Sequence, residues 1–213
     1  MILTVGATKG GVGKTATAVG LAIERMLSGR KVWLVDADRQ RTAQKAITLR
    51  SDFDHLQPLA CDNYVDGKTL VAQVRLQMDR YDDIIIDAGG RDSTALRAAL
   101  GISDALLMPV APRNFELWAV EDTAELVDEV RSINPELKAW AFLNMAEPSL
   151  QSADNRVAVD IIREYEQFDY LSTKLIARKM FSNASGAGMG VSEMRPKDPK
   201  AVREMRALLA SVF

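Results

Sequence analysis

One cysteine and one histidine in 213 residues narrow the chemistry at once. A lone Cys61 cannot form an internal disulfide, which fits a reducing compartment such as the cytoplasm. His55 is the sole histidine, which argues against a Cys/His metal site and against a histidine-based catalytic triad. Long apolar runs are also missing. None approaches the roughly 20 residues needed to span a bilayer. The apolar stretch Ile2–Ala7 is strand-length and runs into glycines rather than a cleavage site, so no signal peptide is expected. Charge of one sign is scarce too: the net charge is −2, which argues against a strongly basic nucleic-acid binder.

What is present is ordinary for a globular protein, with 47% hydrophobic and 26% charged residues. The length suits one sizeable α/β domain, expected over residues 1–213. Charge is unevenly spread. From Lys174 onward eight basic residues face three acidic ones, giving +5 there and −7 elsewhere. Such a local basic face can bind phosphates on an acidic protein.

Short apolar runs alternate with amphipathic stretches. Ile2–Ala7, Val32–Val35, Ile84–Ile86, Ala105–Val110 and Ala139–Leu143 read as buried parallel strands. Helical patterns cover about Lys14–Leu27, Gly67–Met78, Ser93–Gly101, Glu116–Ile133, Ala153–Tyr165 and Pro199–Val212. The Gly/Ser-rich stretch Ser182–Gly190 reads as a loop. The alternation predicts a doubly wound, mostly parallel sheet flanked by helices.

The strongest motif is Gly6–Thr15, in which Gly13-Lys14-Thr15 supplies the essential end of G-x-x-x-x-G-K-[ST] and Gly6 lies outside it; placed between a strand and a helix, it reads as a phosphate loop of the P-loop NTPase type. Glycines let backbone N–H groups approach an anion without Cβ clashes. The helix opening at Lys14 adds its positive end. Gly10, Gly11, Val12, Gly13, Lys14, Thr15 and Ala16 would hold the phosphates. Lys14 would bridge the β and γ oxygens, and the Thr15 hydroxyl would ligate Mg²⁺. The expected ligand is therefore ATP with Mg²⁺. Asp36 and Asp38 follow the second strand. One carboxylate can face the metal and the other the γ-phosphate once the chain turns; either could instead cap a helix over Arg39–Ile47. Asp87 ends a buried strand, where α/β sheets bind ligands, and should hold Mg²⁺ through a water. Gly89 and Gly90 supply backbone donors near the γ-phosphate. Arg91 reads either as a switch arginine or as a surface residue.

The segment Lys9-Gly10-Gly11-Val12-Gly13-Lys14-Thr15 resembles the KGGxGK[ST] loop of the ParA/MinD family of partition and positioning ATPases. Val35–Gln40 resembles that family's VDxDPQ switch, with Arg39 where proline is usual. Ile84–Asp87 resembles its Walker B strand end, and Pro109–Pro112 followed by Phe115 resembles its PxxP segment. After the Walker B aspartate the family commonly has prolines, whereas this chain has Ala88-Gly89-Gly90-Arg91. The likeness is specific before Phe115 and loose beyond Asn144.

The resemblance implies an ATPase that forms a homodimer on ATP, with Lys9 reaching the partner's phosphates and Asp38 positioning the attacking water. Asn144, at the end of the fifth strand, would read adenine as a strand-end asparagine does in that family; a turn-forming role is the other reading. The resemblance further implies a ParB-like adaptor protein as partner and a nucleoid-associated location. Relatives that bind DNA carry a basic face near the C-terminus. Here Arg195, Lys197, Lys200, Arg203 and Arg206 would grip DNA phosphates without sequence preference. Val202, Met205, Leu208, Leu209 and Val212 would dock the same helix on the sheet. No helix-turn-helix is seen ahead of Ile2, so operator recognition is not expected. Membrane targeting of the MinD kind is not expected either, because the last residues, Ala207–Phe213, lack a basic face. A metabolic ATPase on the same fold is the remaining alternative.

Overall fold

The computed structural model describes residues 1–90, 94–112, 117–149 and 151–213. Arg91, Ser93, Phe115 and Glu116 lie outside the described residues, so the expectations placed on them are not addressed. Seven strands form one sheet: β1 (Ile2–Val5), β2 (Val32–Asp36), β3 (Ala60–Asn63), β4 (Asp83–Asp87), β5 (Ala105–Val110), β6 (Lys138–Ala146) and β7 (Asp169–Ile176). Their order is β3-β2-β4-β1-β5-β6-β7, and every pairing is parallel. The helices are α1 (Lys14–Leu27), α2 (Thr42–Arg50), α3 (Gly67–Gln77), α4 (Thr94–Leu100), α5 (Leu117–Arg131), α6 (Ala153–Glu164), α7 (Lys179–Gly186) and α8 (Pro199–Val212). This is the doubly wound P-loop NTPase architecture expected from the alternation.

Parallel sheets are covered on both faces, so their strands read as continuous apolar runs. Successive side chains nevertheless go to opposite sides. Leu3, Val5, Leu34, Ile85 and Leu107 join one core with Ala18, Leu21, Ala22, Met205 and Leu208 from α1 and α8. On the other face Leu106, Met108 and Val110 pack with α5, and Trp33, Val35, Ile84 and Ile86 pack with α3 and α4.

The C-terminal helix shows how sequence sets an element. Asp198 accepts the N–H groups of Lys200 and Ala201, and Pro199 occupies the first turn, where its missing N–H is harmless. Ala201, Met205, Leu208 and Val212 are buried at helical spacing. Burying three large apolar side chains stabilises this docking by roughly 1.5–3 kcal/mol each. Among the described residues no helix is long and apolar enough to cross a membrane.

Two expectations need correction. Ser182–Gly190 is not all loop: α7 runs to Gly186, with Ala184 buried in the main core. The described residues also hold the strands β3 and β7, which were not expected, and α2 lies where a helix over Arg39–Ile47 was one of the readings.

The parallel register places the acidic strand ends side by side. Asp36 is directly opposite Asp87 across β2 and β4, and Val5 is opposite Asp87 across β1 and β4. The phosphate loop leaves β1 at this carboxyl edge, where the connection from β4 crosses to the far side of β1. That is the place where open α/β sheets bind ligands.

Candidate nucleotide site

The phosphate loop is held from three directions. The Thr8 N–H donates to Thr123 Oγ1 of α5 at 3.3 Å, and the Thr8 hydroxyl donates to the Ala119 carbonyl at 3.3 Å. Asn144 Nδ2 donates to the Val12 carbonyl at 2.7 Å. Lys14 Nζ donates to the carbonyl of Lys9, closing the loop over itself. Gly13 has φ 86°, in the left-handed region, and a Cβ there would run into the Asn144 amide. Only glycine satisfies both demands. α1 begins at the next residue, so its free N–H groups open into the loop.

A cleft of about 550 Å³ opens over this loop, lined by Gly10, Gly11, Gly13, Lys14, Thr15, Ala16, Asp38, Gln40, Thr42, Gly90 and Met145. That volume lies within the range of small-molecule sites. A second pocket of about 310 Å³ shares Ala16 and Met145 with it and is lined mainly by Leu175, Ile176, Phe181 and Met205, with Asn144 and Arg178 at its edges. The two together make a groove with a cationic, glycine-rich end and an apolar end. Met145 sits where they meet with φ 52°, beside the register irregularity between β6 and β7. Nothing in the local sequence signals Met145 or Thr42 as lining residues.

The acidic residues divide by environment. Both Asp36 oxygens are committed: Oδ1 accepts from the Asp38 N–H and Oδ2 from the Gln44 N–H, each at 2.9 Å. Asp36 thereby ties the β2–α2 turn to the first turn of α2. Burial raises its pKa, while these two bonds partly offset the rise. Asp38 is not the cap of α2. The residue before that helix is Arg41, at φ 55° with no side-chain cap bond, and Asp38 Oδ1 accepts from the Gln40 N–H at 2.9 Å. Asp38 is half-buried and lines the cleft, with Gly89 beside it: a Cβ on Gly89 would lie 3.1 Å from Asp38 Oδ2.

Asp87 is different. It is 1% exposed, and among the described residues neither carboxylate oxygen has a hydrogen-bond partner. Its pKa is pushed up to about 7, first by burial and then by the neighbouring charges of Asp36 and Asp38. The Thr15 hydroxyl and the Lys14 ammonium pull the other way. A buried carboxylate without a partner is costly. The donor set, Asp87 beside the Thr15 hydroxyl, fits a hard cation taking oxygen ligands. Among the described residues no group of three or more His, Cys, Asp or Glu could hold a metal. A cation here would therefore take much of its shell from water and phosphate, as Mg²⁺ does.

The remaining sequence-predicted residues are placed as follows. Lys14 is buried in the cleft. Lys9 is half-buried, and it is not among the cleft's lining residues. Asn144 lines the apolar pocket while bracing the loop. Gly90 presses on the loop: a Cβ would lie 3.0 Å from Gly10 and 3.1 Å from Lys14 Nζ. Arg195, Lys197, Lys200, Arg203 and Arg206 are all exposed along 195–206. Arg178, by contrast, is paired to Glu204 at 2.9 Å. One residue with a site role was overlooked: Asn63, whose Nδ2 donates to the carbonyls of Asp36 and Asp38 at 2.9 and 3.0 Å.

Residues 1–66 match a family model described as an AAA domain. The chain is 28% identical to the Maintenance of carboxysome distribution protein A of Halothiobacillus neapolitanus, over 99% of this chain and 95% of that protein. It is also 28% identical to the Chromosome-partitioning ATPase Soj of Thermus thermophilus, over 63% of this chain and 65% of that protein. The fold is similar to that of apo McdA from Cyanothece, with a TM-score of 0.77 and 17% identity, covering 100% of this chain and 99% of that one.

Proposed function

We propose that this chain, which belongs to the ParA/MinD family of P-loop ATPases, is an ATP-driven positioning ATPase that carries cargo over DNA as a single 1–213 domain. The observation that carries the nucleotide reading is the groove itself. Its cationic end is lined by Gly10–Ala16 and its apolar end abuts it at Ala16. ATP would set its phosphates against the loop N–H groups and Lys14, with its base in the apolar pocket beside Met145 and Phe181. Thr15 and Asp87 would hold Mg²⁺, which would supply charge neutralisation on the phosphates. Asp38, at the cleft wall, would orient the water. Phosphoryl transfer asks for positioning and electrostatics rather than covalent help.

The finer steps follow from the family. ATP would join two subunits, with Lys9 of each offsetting the other's phosphates, and a ParB-like adaptor would stimulate hydrolysis. The dimer would grip DNA through Arg195, Lys197, Lys200, Arg203 and Arg206. Contacts of that kind weaken steeply with salt. The cytoplasm, on the nucleoid, is the location this implies. The cargo would be a plasmid or chromosome partition complex. A protein-body cargo is the second reading, favoured because the likeness to the carboxysome-distribution protein spans 99% of the chain.

Lys9→Ala tests the dimer. It should bind ATP as a monomer, fail to dimerise, and lose ATP-dependent DNA binding, because a dimer doubles the basic surface. Light scattering with ATP and Mg²⁺, followed by a DNA mobility shift, measures this. A variant that dimerises and hydrolyses like wild type ends the sandwich mechanism.

A further inference from the structure

A second groove, of about 570 Å³, lies between α3 and α4, away from the nucleotide cleft, and is lined by Asp66, Gly67, Lys68, Val71, Ala72, Arg75, Thr94 and Ala98. Val71, Ala72 and Ala98 give it an apolar floor. Lys68 and Arg75 stand seven residues apart on α3, on the same side of the helix, and both are exposed. Arg75 forms no ion pair with any described residue. The one acid in the lining, Asp66, caps α3 by accepting from the Thr69 N–H and hydroxyl at 2.9 and 2.8 Å; these bonds, and after them the Lys68 charge, hold its pKa below the usual value. An apolar trough whose rim carries two cations and one carboxylate, a net positive charge, is complementary to an acidic segment with an apolar stripe.

The groove's wall leads back to the cleft. α3 follows β3, and Asn63 at the end of β3 holds the Asp36 and Asp38 carbonyls. The two helices are in close contact: a Cβ on Gly67 would lie 2.8 Å from both Ala98 Cβ and the Thr94 carbonyl. A body seated between α3 and α4 therefore bears on the Asp38 turn through α3 and Asn63.

We propose that the α3–α4 groove docks an acidic amphipathic helical segment of a partner protein, and that its occupancy alters nucleotide turnover through Asn63. The coupling to turnover rests on the ATPase reading; the docking does not.

The test uses the full chain and three labelled synthetic peptides of roughly 14 residues, about four helical turns. One carries a leucine stripe with glutamates, one the same stripe with lysines, and one scrambles the acidic sequence so that no stripe forms. Fluorescence anisotropy should show the acidic amphipathic peptide binding at least tenfold tighter than the other two. Lys68→Glu combined with Arg75→Glu, both surface changes, should reverse the charge preference. The acidic peptide should change ATP turnover severalfold in wild type and leave that double variant unaffected.

Equal binding of all three peptides, or an unchanged preference in the double variant, overturns the docking site. Binding without any change in turnover overturns the link to the Asp38 turn. Self-association of the peptide-free chain that is lost in the double variant assigns the groove to a second copy and overturns the partner segment. Normal turnover without peptide discrimination sinks the groove and spares the ATPase reading. Peptide discrimination in a chain that binds no ATP does the reverse.

Discussion

The molecule buries charge in several places, and two of them it treats in opposite ways. Arg50, at the end of α2, is 2% exposed and wholly satisfied. Its guanidinium makes two 2.8 Å bonds to Glu193 and donates to the carbonyls of Gln57 and Gly188. Glu24 does the same for the neighbouring turn, accepting from the Ser192 N–H and hydroxyl. At the other place, Asp87 is as deeply buried and, among the described residues, has no hydrogen-bond partner. The first arrangement holds a loop against α1 and α2 and leaves nothing for a ligand. The second leaves a charge that folding alone does not compensate, at the mouth of a glycine-rich cleft. A buried ion that is paired speaks for architecture; one that is not speaks for something still to bind.

The largest effect expected from this contrast is on stability. Arg50→Ala strands the Glu193 carboxylate and should cost on the order of 3–5 kcal/mol, read as a large fall in denaturation midpoint. A loss below about 1 kcal/mol would mean that the pair is not the anchor its geometry suggests.

Asp38→Ala stands next. It should leave ATP affinity near wild type while turnover falls on the order of 10²-fold, since orienting the water acts in the transition state. Steady-state turnover and calorimetry separate the two quantities. Wild-type turnover would move the role to another group in the cleft.

How much of this was open to sequence reading depends on distance along the chain. The phosphate loop, α1 and the Asp36–Asp38 turn are local patterns of a few residues, and the structure places them together at one sheet edge. The five central strands declared themselves because both of their faces are buried. β3 (ACDN) and β7 (DYLSTKLI) lie at the sheet edges, half exposed over most of their length, so no apolar run marked them. α2 has few apolar residues, and α7 was hidden behind glycine and serine. Arg50 and Glu193 are 143 residues apart, and Asn63 reaches Asp36 over 27. No short-range pattern carries either contact.

A further expected effect concerns pH. In the unfolded chain Asp87 ionises near 4, while in the fold its pKa is pushed up to about 7. Below 4 both states are protonated and Asp87 adds no pH dependence. Between 4 and 7 the unfolded state loses the proton first, so nucleotide-free stability should fall as pH rises, and level off above 7. Asp87→Asn should flatten that slope and raise the midpoint of the nucleotide-free protein near neutral pH. Thermal denaturation across this range measures both. An unchanged slope would place the burden of Asp87 elsewhere.

The central claim is that the glycine-rich cleft is a nucleotide site built around Lys14. Calorimetric titration of ATP with Mg²⁺ into the wild type and into Lys14→Ala addresses it most directly. The account predicts a single saturable binding event in the wild type and at least ~100-fold weaker binding in the variant. Equal affinity in the two proteins would contradict it.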